Sequence, residues 1–183
     1  NKKIDTSNIT QILKEHEILK NLDLFSLDID GIDYWILDQM PKNFSKVVIV
    51  EYNSIFGNDL SVSVPNIDNF DRQKYHYSNL CFGMSLKAAV NLLEEKNFYF
   101  LGVNLMRNNA FFISKDFPKD QFFKNLIIDD VSNISDSTFR ESRDKHGNLD
   151  YIGGEKRINL IKDCEIIDLK SQNFETTKLI NLL

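Results

Sequence analysis

The sequence predicts an α/β domain built around parallel strands, and three observations carry that prediction. Lys46-Val47-Val48-Ile49-Val50-Glu51 contains four consecutive β-branched apolar residues, the habit of a strand buried on both faces in a parallel sheet. A second apolar run, Leu22 to Leu27, precedes it by one helix-sized segment, so the order reads strand–helix–strand with a right-handed crossover. Beyond residue 85, apolar residues recur first at helical and then at strand spacing.

Taken in order, residues 8–20 read as a helix. Ile9, Ile12, Leu13 and Leu19 share one face, while Lys14, Glu15 and Lys20 fall elsewhere. Thr6, Ser7 or Asn8 supplies the cap, and His16, beside the apolar face, reads as core. The strand Leu22 to Leu27 runs into Asp28-Ile29-Asp30-Gly31, where glycine permits a sharp turn. Asp33 then caps a short helix, Tyr34 to Met40, which Pro41 stops. After the strand ending at Glu51, residues 54–80 carry Gly57, Pro65, four asparagines, and Tyr75 and Tyr77 flanking His76, and read as a long surface excursion.

Ser85 caps the best-defined helix, with Leu86, Ala89, Val90 and Leu93 as its apolar stripe and Glu94-Glu95-Lys96 as its wet end. Phe98 to Val103 and Asn109 to Ser114 follow as an antiparallel strand pair joined by the polar link Asn104 to Asn108. Residues 115–150 mix charge with Phe117, Phe122, Phe123 and Phe139 and read as helical in part. Gly153-Gly154 precedes a last apolar stretch, Ile158 to Leu169. Residues 1–114 form the expected core, and 115–183 an extension packed on the same domain.

Composition excludes several classes. With 183 residues the chain suits one domain or a piece of a larger protein. A formal net charge of -5 supplies no basic field for nucleic acid. Cys81 and Cys164 lie far apart in sequence and form no CxxC pair, which argues against a disulfide framework or a thiolate zinc site and fits a reducing, cytoplasmic compartment. No apolar run approaches the ~20 residues of a membrane span. The chain lacks an initiator Met and enters a helix almost at once, so a fragment is expected.

In open parallel sheets, ligands bind outside the carboxyl ends of the strands. Both informative strands end in acidic turns, Asp28-Ile29-Asp30-Gly31 and Glu51-Tyr52-Asn53. If these strands are neighbours, Asp28, Asp30, Glu51 and the Asn53 amide converge on one crevice, with Gly31 and Tyr52 lining it. Asp28, Asp30 and Glu51 can bind a divalent cation such as Mg through oxygen ligands. They can equally share a proton and leave one carboxylate as a base. The plainer alternative has Asp28 and Asp30 accepting backbone N–H groups of the following helix. His76 is a candidate substrate-pocket residue, whereas Arg107 reads as a solvated hairpin charge. Arg140, Arg143, Lys145 and His146 read as exposed surface. No GxSxG, HExxH, P-loop or GxGxxG motif is present.

Leu22-Asp23-Leu24-Phe25-Ser26-Leu27-Asp28-Ile29-Asp30-Gly31, followed by Val48-Ile49-Val50-Glu51-Tyr52-Asn53, resembles the C-terminal half of FkbM-like class I S-adenosylmethionine-dependent methyltransferases. The helix start Gly83-Met84-Ser85-Leu86 and the strand Asn109-Ala110-Phe111-Phe112-Ile113 are also similar to that group. The resemblance covers about residues 8–114, with a vaguer echo at Phe139-Arg140-Glu141-Ser142-Arg143-Asp144. It implies a Rossmann-like, mainly parallel sheet closed by an antiparallel C-terminal hairpin. It also implies O-methylation of a sugar or related hydroxyl on a small-molecule or glycan substrate. By the same resemblance, Asp28 to Gly31 follow the fourth strand and Glu51 to Asn53 the fifth. The glycine-rich cofactor loop and the ribose-gripping acid have no counterpart and would lie upstream of Asn1.

Two other readings compete. A strand followed by Asp-x-Asp-Gly also resembles the first motif of haloacid-dehalogenase-type magnesium phosphatases. That resemblance makes Asp28 the nucleophile, Asp30 the acid/base, and Asp129 with Asp130 magnesium ligands. The third reading is a non-catalytic Rossmann-like interaction module.

Overall fold

The computed structural model describes residues 3–18, 22–117, 125–132, 134, 141–171 and 173–183. Its helices are α1 (Ile9–Glu15), α2 (Asp33–Asp38), α3 (Arg72–Tyr75), α4 (Leu86–Glu95) and α5 (Lys156–Ile161). Its strands are β1 (Leu24–Leu27), β2 (Val47–Glu51), β3 (Val62–Ser63), β4 (Phe98–Val103), β5 (Asn109–Ser114), β6 (Glu165–Asp168) and β7 (Glu175–Lys178).

These strands make two sheets, ordered β1-β2-β5-β4 and β3-β6-β7. β1 pairs parallel with β2, from Leu24 opposite Val47 to Leu27 opposite Val50. β5 then lies antiparallel to both β2 and β4, and the second sheet is antiparallel throughout. The chain is α/β with mixed sheets, which corrects the expectation of a mainly parallel sheet. A β-branched run reports burial and says nothing about the direction of the neighbouring strand.

One face of the first sheet builds the main core. Val48, Val50, Phe98, Phe100, Ala110 and Phe112 are buried against Ile36 and Leu37 of α2 and against the Leu86, Ala89 and Leu93 stripe of α4. Fully burying each such side chain contributes about 1.5–3 kcal/mol. Val47 and Ile49, out of phase with that face, are only half-buried, so β2 alternates where burial on both faces was expected. Ser85 starts α4 as predicted, its Oγ accepting the Ala88 N–H at 3.2 Å. The same oxygen accepts the Val62 N–H at 3.1 Å, which ties the helix start to β3.

A second core joins Ile55, Phe56, Val62, Val64, Leu80 and Cys81 to Ile161, Cys164, Ile166 and Leu179. Residues 54–80 are therefore no surface excursion. Their asparagines and Pro65 conceal short buried segments, one of which pairs with β6. Phe70 packs against both cores.

Other expectations change in detail. His16 is exposed rather than core, because α1 ends at Glu15; Leu19 and Lys20 lie outside the described residues. The described parts of 115–150 form turns and a bridge between Arg143 and Leu149, without a helix. Phe122, Phe123, Phe139 and Arg140 lie outside the described residues. The last apolar stretch divides into α5 and β6. Among the described residues no helix is long and apolar enough to cross a membrane.

Candidate functional site

Parallel pairing of β1 with β2 brings their carboxyl ends level. Leu27 faces Val50, so Asp28 emerges beside Glu51. One carboxylate oxygen from each of Asp28, Asp30 and Glu51 lies within 4.8 Å of the others. Asp28 and Asp30 are exposed, while Glu51 is buried at the floor of the cluster.

The turn that presents the aspartates owes its shape to residues sequence reasoning weighed differently. Its left-handed residue is Asp30 (φ 56°), a conformation that aspartate tolerates better than most side chains. Gly31 serves a different need: a Cβ there would lie 2.6 Å from Cδ1 of Phe70. Asp33 does not cap α2 with its side chain. Its buried carboxylate reaches back instead, accepting the Ile29 N–H at 3.0 Å and the Gly31 N–H at 2.9 Å. Burial pushes its pKa up to about 6, against the lowering effect of those two N–H groups, and the nearby charge of Asp28 adds to the rise.

The second tip is held just as firmly. The Tyr52 N–H donates to the Asn108 carbonyl at 2.9 Å and the Asn53 N–H to the Met84 carbonyl at 2.8 Å. Asn53 does not join the carboxylates. Its amide donates to the carbonyls of Leu80 (2.8 Å) and Phe82 (3.1 Å), and its oxygen accepts the Ile55 N–H. Tyr52 is likewise buried. The segment around Gly83 crosses between the two tips, with the Gly83 N–H donating to the Gly31 carbonyl at 3.0 Å.

Arg72 is a member of the site that no sequence signal marked. Its guanidinium pairs with Asp30 and stacks over the Phe82 ring, 5.2 Å from the centroid. Beside this pair lies a polar cavity of about 560 Å³, lined by Lys3, Asp30, Asn69, Arg72, Gln73 and Lys74 among others. A smaller cavity, about 320 Å³, adjoins it at Gly31 and Phe70.

His76 lies apart from this cluster. Its Nδ1 meets the Ser78 Oγ at 2.7 Å, its ring stacks on Tyr77, and it lines a separate cavity with Cys164 and Glu165. Burial holds its imidazole below its ordinary pKa. Asp129 and Asp130 follow Ile128, whose N–H donates to Phe100 of β4, the sheet edge opposite β1. Arg107, in the hairpin beyond β4, is left-handed (φ 57°) and half-exposed.

No protein-family model, curated protein or solved structure matches this chain.

The chemistry of the site is therefore that of its donors. Three carboxyl groups meet there, and the Asp30–Arg72 pair extends the cluster to the wall of the polar cavity. All the clustered donors are hard oxygens, a set suited to Mg²⁺ or Ca²⁺ rather than to softer metals, and equally able to accept hydroxyl protons.

Proposed function

We propose that the chain is the acceptor side of a methyltransferase-like domain of Rossmann type, which binds a hydroxyl of a sugar or related polyol at the Asp28–Asp30–Glu51 cluster. The observation that carries this reading is the meeting of those three carboxylates at the carboxyl ends of two adjacent parallel strands. The polar cavity beside Asp30 supports it, since its volume of about 560 Å³ falls in the range that holds small ligands. So does the antiparallel β4–β5 hairpin, which packs against β2 as the sequence resemblance expects.

In this reading exposed Asp28 accepts the proton of the acceptor hydroxyl, and buried Glu51 orients that hydroxyl. Asp30, held by Arg72, bounds the cavity. A divalent cation on these oxygens would lower the pKa of the hydroxyl. Methyl transfer chiefly requires alignment of the nucleophile, so such positioning supplies most of the chemistry asked of these residues. The glycine-rich loop and ribose-binding acid of a class I cofactor site have no counterpart in this chain. The residues present do not fit S-adenosylmethionine.

Calorimetry with MgCl₂ and CaCl₂, alone and with a panel of simple sugars, tests the proposal. Saturable binding is expected, lost in Asp28→Asn and Glu51→Gln variants that remain folded. Hydrolysis of a generic magnesium-dependent phosphoester, abolished in Asp28→Asn, would favour the phosphatase reading instead. A folded chain that takes up neither cation nor sugar leaves the interaction module.

A further inference from the structure

The polar cavity beside Asp30 has more basic than acidic side chains in its wall, Lys3, Arg72 and Lys74 against Asp30 and Asp71. Both carboxyl groups already hold partners. Asp30 pairs with Arg72, while Asp71 accepts the Gln73 N–H at 3.0 Å and meets the Lys74 ammonium at 3.2 Å. The basic groups are not used up in the same way. Arg72 is fixed by its Nη1 contact with Asp30 and by the Phe82 ring under its guanidinium, and its side chain is only 23% exposed. Among the described residues its Nε and Nη2 meet no acceptor, so most of its donors remain for a ligand. Lys3 forms no ion pair among those residues, and the side-chain amides of Asn69 and Gln73 make no hydrogen bond there. Lys74 is largely exposed, and an exposed ion pair such as Lys74–Asp71 is weak enough to be exchanged for a ligand.

We propose that this cavity is the anion subsite of the acceptor site, and that it holds the phosphate of a sugar or polyol phosphate monoester whose hydroxyl lies at the Asp28–Asp30–Glu51 cluster. The inference rests on the hydroxyl reading above and narrows its substrate class. Asp30 joins the two parts, since it belongs both to the cluster and to the cavity wall. By engaging Nη1, it leaves the Nε–Nη2 edge of Arg72 for the ligand. That edge presents two parallel N–H groups, the fork that grips two oxygens of a phosphate or a carboxylate. The remaining donors choose between these anions. A phosphate bound to Arg72 through two oxygens still offers a third oxygen, and more negative charge, to Lys3, Lys74 and the Asn69 and Gln73 amides. A carboxylate in the same fork has no further oxygen and leaves those groups without a partner. The subsite binds and orients; the phosphate ester itself is not broken.

Calorimetry on the native full-length chain, with MgCl₂ present throughout, compares glucose, glucose 6-phosphate, glucuronate and inorganic phosphate. Glucose 6-phosphate should bind about tenfold or more tightly than glucose or glucuronate, because charge-assisted hydrogen bonds to the phosphate add to those of the hydroxyls. Inorganic phosphate should bind and should compete with the ester. Added NaCl should weaken binding of the ester far more than binding of glucose. Arg72→Gln should abolish the advantage of the ester over glucose. Lys3→Gln combined with Lys74→Gln, at two exposed positions, should reduce that advantage even if the arginine variant fails to fold. Equal affinities for glucose and its phosphate overturn the subsite and leave the hydroxyl reading standing. So does a failure of inorganic phosphate and the ester to bind while glucose does. Glucuronate bound as tightly as the ester overturns the choice of phosphate. Inorganic phosphate and the ester bound alike, with neither changed in Asp28→Asn, uphold the subsite and overturn the hydroxyl reading instead.

Discussion

Asp33 shows at the level of one side chain how a site's support differs from its chemistry. Its carboxylate closes the turn that carries Asp28 and Asp30, and burial raises its pKa from 3.8 to about 6. Between those values the unfolded chain releases the proton while the native chain keeps it, so this group makes native stability fall as pH rises from about 4 to about 6. At about 1.4 kcal/mol per pH unit, the loss amounts to roughly 3 kcal/mol. Urea denaturation at several pH values should show that slope in the wild type and lack it in Asp33→Asn. Gly31 is the companion case. Gly31→Ala should cost about 1–3 kcal/mol through overpacking against Phe70. Adding Phe70→Leu should recover part of that cost, whereas simple additivity of the two changes would refute the contact as its cause.

Among the elements, the β2 tip is where structure reassigns a residue most plainly. Asn53 follows an acidic strand end and reads as a ligand, but its amide is consumed by the Leu80 and Phe82 carbonyls. Asn53→Ala leaves those buried acceptors short of a donor and should lower stability by roughly 2–4 kcal/mol. An unchanged denaturation midpoint would return Asn53 to the list of substrate contacts. Strand ends, the Ser85 cap and the β4–β5 hairpin were legible because each follows from local chemistry within a few residues. The β-branched run of β2 was equally legible as a strand, although its neighbour's direction was not, since β5 lies some 60 residues away in the chain. Residues 54–80 hid their buried segments behind polar composition.

On the scale of the whole molecule, two cores share one junction. Phe70 packs into both, and the N–H of Trp35, on the helix of the first core, donates to the Val64 carbonyl of the second at 2.8 Å. Trp35 is the chain's single tryptophan, so its fluorescence reports this junction. Its unfolding curve should coincide with that from far-UV circular dichroism, as one cooperative transition requires. Separate midpoints would mean that the second sheet opens independently of the first.

The sequence by itself determined the α/β character, the order of the first strands and helices, and the acidic ends of β1 and β2, because hydrophobic period, caps and turns are written in neighbouring residues. Tertiary structure alone decided the mixed direction of the first sheet, the second core with both cysteines in it, and the pairing of Arg72 with Asp30. Each of these joins residues dozens of positions apart, and the chain's local pattern carries no record of which distant segments share a core.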